Sequence, residues 1–172
     1  MSRFKPTMYK KDIYDINYSK LKEMGIKCLV FDLDNTLGLL ENKKCPIKTK
    51  RLLKQLQKDF FVFIVSNNTK KRILPYLEDL GIDGVSMALK PLTIGLHRIK
   101  KKNKFKKNEM VIIGDQIVTD ILCGKRFGIM TILVDPLGVK DLKITSLNRK
   151  IESMIIKKYS RKNIFERGKY YE

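Results

Sequence analysis

The residues best suited to chemistry lie where apolar runs stop. Cys28 to Phe31 leads straight into Asp32-Leu33-Asp34-Asn35-Thr36. On an extended chain, residues two apart point to the same side, so Asp32 and Asp34 bring two carboxylates together. Like charges that close raise each other's energy unless a cation or a proton intervenes. A divalent cation relieves them, and an all-oxygen ligand set suits Mg²⁺. Met110 to Ile113 leads into Gly114-Asp115-Gln116-Ile117-Val118-Thr119-Asp120, which adds two more carboxylates. Phe60 to Val65 ends at Ser66-Asn67-Asn68-Thr69. Hydroxyl, amide and N–H groups at such a helix start can hold phosphate oxygens. Lys90-Pro91 follows a weaker apolar segment, where the ammonium can act as a point charge on phosphate. Each feature has an ordinary reading too, as a turn, a helix cap or a solvated lysine. Their joint presence at run ends points to metal-assisted phosphoryl chemistry.

The runs themselves are too short for helices and are apolar on consecutive positions, as strands covered on both faces are. Met130 to Val134, ending at Asp135-Pro136, makes a fourth, and Gly84 to Met87 a weaker fifth. Helical stretches fall between them: 46–58 with Leu52, Leu53 and Leu56, 69–80 before Gly81, 91–102 with Ile94 and Ile99, and 119–127 before Gly128. Pro75 is awkward for the second, which is expected to kink or start late. Alternating strands and helices predict an α/β fold: a parallel sheet with helices on both faces, its ligand site at the carboxyl ends of the strands.

The chain has 172 residues, enough for one domain with a substantial core. No apolar run is long enough to span a bilayer, and the lysine-rich start does not read as a secretory signal. Cys28, Cys45 and Cys123 are odd in number and scattered, which suits a reducing, cytoplasmic setting. The 37 Lys and Arg residues against 18 Asp and Glu give a net charge of +19. This favours a phosphate-rich partner such as nucleic acid, an anionic membrane or a phosphorylated small molecule. Lysine dominates the cations, as an AT-biased genome also produces. No aromatic signature for a specific nucleic-acid contact is present.

The motifs resemble those of the haloacid dehalogenase (HAD) superfamily: Asp32-Leu33-Asp34-Asn35-Thr36, Ser66, Lys90, and Gly114-Asp115 through Asp120. That resemblance implies a three-layer Rossmann-like sheet. It also implies Asp32 as nucleophile and Asp34 as acid and base. Mg²⁺ would be held by Asp32, the Asp34 carbonyl and Asp115. Ser66, Asn67 and Lys90 would grip the phosphoryl group, with Thr36, Gly114, Thr119 and Asp120 in support. Many relatives that act on small metabolites insert a cap domain after the first motif or the second. Here 37–61 has room for one helix and 69–90 for one helix and a strand, so no cap is expected and the site should be open. From about Pro6 to Tyr159 the chain resembles the capless YqeG type of subfamily III, which is similar to the mitochondrial phosphatidylglycerophosphate phosphatases. Arg72, Asn148-Arg149 and Glu152 belong to that likeness, whereas Cys123 and Leu89 depart from it. The likeness implies a lipid phosphate substrate.

The expected organisation is a basic, apolar segment over 1–27, a catalytic core over 28–143, and an amphipathic helix with a tail over 144–172. The first segment would pack on the core or touch an anionic membrane. In the last, Leu147, Ile151, Met154 and Ile155 would share an inward face. The cationic run from Arg98 to Lys107 is a further candidate for membrane contact. Other readings are a soluble or nucleic-acid phosphomonoester as substrate, or a non-catalytic binding protein on the same fold.

Overall fold

The computed structural model describes residues 3–138 and 143–172. Its strands are β1 (Met8–Lys10), β2 (Cys28–Phe31), β3 (Phe61–Val65), β4 (Asp83–Val85), β5 (Met110–Gly114) and β6 (Met130–Val134). The helices are α1 (Tyr18–Glu23), α2 (Ile47–Leu56), α3 (Lys70–Leu80), α4 (Ile94–Asn103), α5 (Leu122–Phe127) and α6 (Lys143–Ser160). All strand pairs are parallel, and the order across the sheet is β1-β6-β5-β2-β3-β4. The fold is thus an α/β sheet with helices on both faces, and among the described residues no cap domain interrupts it.

Continuous apolar strands arise here because successive side chains serve opposite layers. Leu29, Phe31, Val111 and Ile113 join Leu53, Ile73 and Tyr76 on one face. Cys28, Val30, Met110 and Ile112 join Leu96, Ile99 and Phe127 on the other. The Ile73, Tyr76 and Leu80 face anchors α3 firmly enough that the helix begins at Lys70, ahead of Pro75. Gly81 ends it at φ 66°, a left-handed cap that favours glycine. Ile99 packs inward as expected, but Ile94, at the first turn of α4, is exposed.

Within the first 27 residues, Met8 to Lys10 form the edge strand, and Ile13, Ile16 and Leu21 are buried. Tyr9 exchanges two backbone hydrogen bonds of 2.9 Å with Tyr171, which closes the tail over that edge. The inward face of α6 differs from the one expected. Ile151 and Met154 are exposed, Ile155 is half-buried, and Glu152 is buried beside Ile156 and Tyr159; the Leu147 side chain lies outside the described residues. Hydrophobic periodicity cannot foresee an inward glutamate, whose partners are distant in sequence. No helix among the described residues is long and apolar enough to cross a membrane.

The cationic Arg98 to Lys107 run lies far from the motif residues. It occupies the end of α4 and the approach to β5, at the amino end of the sheet. Asp115 lies beyond the other end of β5, roughly 15 Å away at about 3.3 Å per residue.

Candidate active site

Asp32, Asp34, Ser66, Lys90, Asp115 and Asp120 converge at the carboxyl ends of β2, β3, β4 and β5. The Asp32 N–H donates to the Ile113 carbonyl (2.8 Å), so β5 fixes the backbone of the first motif. The carboxylate oxygens of Asp32, Asp115 and Asp120 lie within 4.8 Å of one another, and all three residues are buried. Two local devices make the cluster possible. A wide π-type turn over Ile117–Ile121 follows β5 and swings Asp120 back beneath Gly114. A Cβ on Gly114 would lie 2.4 Å from the Asp120 carboxyl carbon, so only glycine fits there.

Lys90 enters this cluster with 2% of its side chain exposed. Its Nζ donates to Asp32 Oδ1 (2.5 Å) and Asp120 Oδ1 (2.6 Å). Asp120 Oδ2 accepts the Gln116 N–H (3.1 Å). Among the described residues, no protein donor reaches Asp32 Oδ2. Among the described residues no fully buried side-chain N or O atom lacks a partner, so that oxygen keeps access to solvent at the open site. Each Asp115 oxygen has one donor, Thr36 Oγ1 (3.3 Å) on Oδ1 and Arg149 Nη2 on Oδ2, and keeps a second lone pair free of those bonds.

The electrostatics follow from burial. Desolvation pushes the Asp32 carboxyl well above the usual range; Lys90 opposes this, while Asp120 and Asp115 add to it. Burial raises Asp115 to about 7 against the pull of Arg149, with Asp120 adding to the rise. For Lys90, burial favours the neutral amine, but Asp120 and Asp32 outweigh it and the pKa rises. Three buried carboxylates face two cations, Lys90 and Arg149, so a further positive charge is favoured. An oxygen-only donor set of this kind fits a hard divalent cation.

Asp34 stands apart from the cluster. Its Oδ1 accepts from Arg72 Nε (3.0 Å) and Nη2 (2.7 Å), and its Oδ2 from Asn68 Nδ2 (3.1 Å). Arg72 also donates to the carbonyls of Leu39 (3.1 Å) and Asn42 (2.6 Å), bracing the loop after β2. Asn67 braces the opposite loop. Its Oδ1 accepts the Lys90 N–H (2.6 Å) and its Nδ2 donates to the Lys90 carbonyl (2.9 Å). Ser66 is buried and its Oγ accepts the Asn68 N–H (3.1 Å). Thr119 bonds Gln116 Oε1 (3.5 Å) within the turn.

Three residues to which no task had been given thus touch the site. Arg72 grips Asp34, and Arg149 grips both the carboxylate and the carbonyl of Asp115. Glu152 accepts from the Ile117 N–H (2.8 Å) and Arg149 Nη1 (3.2 Å), holding the turn and the arginine at once. The chain of charges runs on through Arg167 to Asp135, Tyr9 and Tyr170. By contrast, His97 is exposed and bonds the Thr93 carbonyl. The three cysteines are free and buried, and burial raises their thiol pKa values, so none is a ready nucleophile.

A parallel sheet bearing a D-x-D turn, a serine, a lysine and a distal acidic pair defines a class of hydrolase. Family models described as haloacid dehalogenase-like hydrolase and HAD-hydrolase-like match residues 29–110 and 88–145. The chain belongs to this class and, within it, to the family of YqeG-type phosphatases. It is 38% identical over 163 residues to Probable phosphatase YqeG of Bacillus subtilis (strain 168), covering 92% of this chain and 93% of that protein. It is 28% identical to Phosphatidylglycerophosphate phosphatase 1, chloroplastic/mitochondrial, of Arabidopsis thaliana, spanning 92% of this chain and 49% of that protein. The fold matches the cobalt-bound deoxy-D-mannose-octulosonate 8-phosphate phosphatase of Haemophilus influenzae, with a TM-score of 0.52 at 17% identity. That match covers 84% of this chain and 95% of the other.

Proposed function

We propose that the protein is a Mg²⁺-dependent phosphomonoesterase that hydrolyses phosphatidylglycerophosphate to phosphatidylglycerol, working in the cytoplasm at the inner face of the membrane. The observation that carries the chemistry is the asymmetry of Asp32: Lys90 holds one oxygen, and the other keeps access to solvent at the open site. An oxygen so placed can attack phosphorus. The lipid assignment draws support from the uncapped site, the +19 charge and the likeness to a phosphatidylglycerophosphate phosphatase.

Asp32 Oδ2 attacks the terminal phosphorus, and the bond from phosphorus to the glycerol oxygen breaks. Asp34, turning from Arg72 and Asn68, gives its proton to that leaving oxygen. It then takes a proton from the water that attacks phosphorus, and the bond from phosphorus to Oδ2 breaks to release phosphate. Ser66 and Lys90 hold the non-bridging oxygens. Asn67 assists through its main-chain N–H, because its carboxamide positions the Lys90 loop. Asp32, Asp115 and the Asp34 carbonyl would hold the Mg²⁺, with Thr36, Gly114, Thr119 and Asp120 keeping them in place. When bound, the ion supplies positive charge against the charge that builds on the transferring group.

Phosphate release from phosphatidylglycerophosphate in mixed micelles, measured beside a panel of soluble phosphomonoesters, tests this reading. Selective release from the lipid, lost by at least about 10³-fold in Asp32→Asn, is expected. Turnover of soluble or nucleic-acid esters alone would remove the lipid assignment. Silence throughout, with tight salt-sensitive RNA or protein binding, would replace the enzyme with a binding protein.

A further inference from the structure

The loop between β4 and α4 carries Lys90 into the site, yet it displays four large apolar side chains to solvent. Met87, Leu89, Leu92 and Ile94 are 64%, 57%, 49% and 47% exposed. Isolated exposed apolar residues are ordinary, but four within eight positions, beside a catalytic pocket, form a patch. The backbone holds them outward. Met87 and Leu89 adopt φ values of 47° and 54°, a left-handed conformation that bulky residues rarely take. The Met87 N–H donates to the Asn68 carbonyl (2.8 Å), the Ala88 N–H to the Ser66 carbonyl (3.0 Å) and the Leu92 N–H to the Leu89 carbonyl (2.8 Å). With Asn67 clamping Lys90 from both sides, the loop cannot fold its apolar groups inward without dismantling the phosphate-binding turn. Across the site, Leu137 is 44% exposed on a turn pinned to the Asn35 carbonyl.

The charge around this patch is one-sided. Residues 84–97, the loop and the first turn of α4, contain no acidic residue. Lys70 and Lys71 are exposed at the start of α3, next to the Asn68 that receives Met87. Arg126 is exposed and reaches the Pro91 carbonyl (3.4 Å). A second copy of this chain, itself at +19, would be repelled. A nucleic acid would satisfy the cations but offer no apolar phase to the leucines. An anionic lipid bilayer offers both.

We propose that the Met87–Ile94 loop, rimmed by Lys70, Lys71 and Arg126, is the surface by which the protein docks on anionic bilayers. Met87, Leu89, Leu92 and Ile94 enter the acyl boundary and the cations meet the headgroups. Lys90, in the middle of the loop, then opens onto the headgroup layer, which presents a lipid phosphate to Asp32. This extends the lipid reading above but is tested apart from it.

The probe is vesicles of phosphatidylcholine and phosphatidylglycerol, which contain no phosphate monoester, so binding is read without turnover. Vesicle flotation at physiological salt compares the parent with Met87→Asn/Leu89→Asn. Asparagine tolerates the left-handed conformation, and a thermal melt confirms folding. The double variant is expected to bind roughly tenfold or more weakly, from the apolar surface it withholds from the bilayer. The chain has no tryptophan, so Leu92→Trp gives a clean reporter, with Met154→Trp on α6 as the reference. Vesicles should shift the first to shorter emission wavelengths and leave the second unchanged. Several results would overturn the docking surface. They are no vesicle binding by the parent, equal binding by the double-Asn variant, an unshifted Leu92→Trp, or concentration-dependent self-association that the double-Asn variant abolishes. Vesicle binding with no hydrolysis of phosphatidylglycerophosphate would uphold the surface while removing the substrate. Hydrolysis of that lipid in micelles with no vesicle binding would do the reverse.

Discussion

The two ends of the sheet treat charge in opposite ways. At the carboxyl end, Asp32, Asp115 and Asp120 are buried with Lys90, and Arg149 closes over them. At the amino end, Lys22 pairs with Asp59 and Lys102 with Asp83, all four side chains standing well into solvent. The residue types are the same, but the dielectric is not. A surface pair gains little because water already solvates both partners. A buried cluster is desolvated, and removing one member leaves its partners uncompensated. Evolutionary pressure aside, physics alone says that the first end can do chemistry and the second chiefly sets solubility and long-range field.

The largest effect that would sharpen this contrast is at Lys90. Lys90→Met leaves Asp32 and Asp120 facing each other without their ammonium. The metal-free protein should lose about 3–5 kcal/mol by denaturant unfolding, and turnover should fall by at least about 10²-fold. Added Mg²⁺ should return part of the stability but little of the activity, because the phosphoryl group still lacks its cation. A stability change under about 1 kcal/mol would mean the carboxylates are not held as described.

A smaller effect is expected at Arg149, which holds Asp115 from α6. Arg149→Met should weaken Mg²⁺ binding by about 10–100-fold in titration calorimetry, with the fold retained. Unchanged affinity would show that α6 merely covers the site.

The pH dependence comes next. The folded-state pKa values of Asp32 and Asp115 are raised by burial, Asp115 to about 7. A carboxyl raised in this way contributes stability that is complete below the unfolded value near 4 and lost as pH rises through the folded value. The metal-free protein should therefore melt at a lower temperature at pH 8 than at pH 5.5. Mg²⁺ must displace the same protons, so its affinity should grow by up to roughly tenfold per pH unit for each proton released. Equal Mg²⁺ affinity at pH 6 and pH 8 would contradict the raised values. Smallest of all, Lys102→Ala should alter stability by less than about 0.5 kcal/mol.

Much of this architecture could be read from the sequence. Cys28 to Phe31 and Met110 to Ile113 announce themselves because a central strand buried on both faces has no polar position to spare. Asp32, Asp34, Asp115 and Asp120 are visible because each follows such a run. What stayed hidden depends on pairs formed across the fold. Arg72 meets Asp34 and Arg149 meets Asp115 over separations of 38 and 34 residues, which no local spacing encodes. Glu152 is inward because Ile117, Arg149 and Arg167 satisfy it, so hydrophobic periodicity placed the wrong face of α6 against the core. The exposed apolar loop was hidden for the opposite reason. Met87 reads as the end of a strand and Ile94 as part of a helical stripe, and only the backbone conformation shows that both, with Leu89 and Leu92, face solvent.

Asp32 Oδ2 is the proposed atom that takes the phosphoryl group. An acyl phosphate is reduced by borohydride, which turns the aspartate that carried it into homoserine. Quenching the enzyme during turnover of phosphatidylglycerophosphate with Mg²⁺, reducing, and reading the peptides by mass should place homoserine at position 32. It should vanish when Mg²⁺ or substrate is withheld. Homoserine at position 34, 115 or 120 instead, or none at any position during active turnover, would contradict the account.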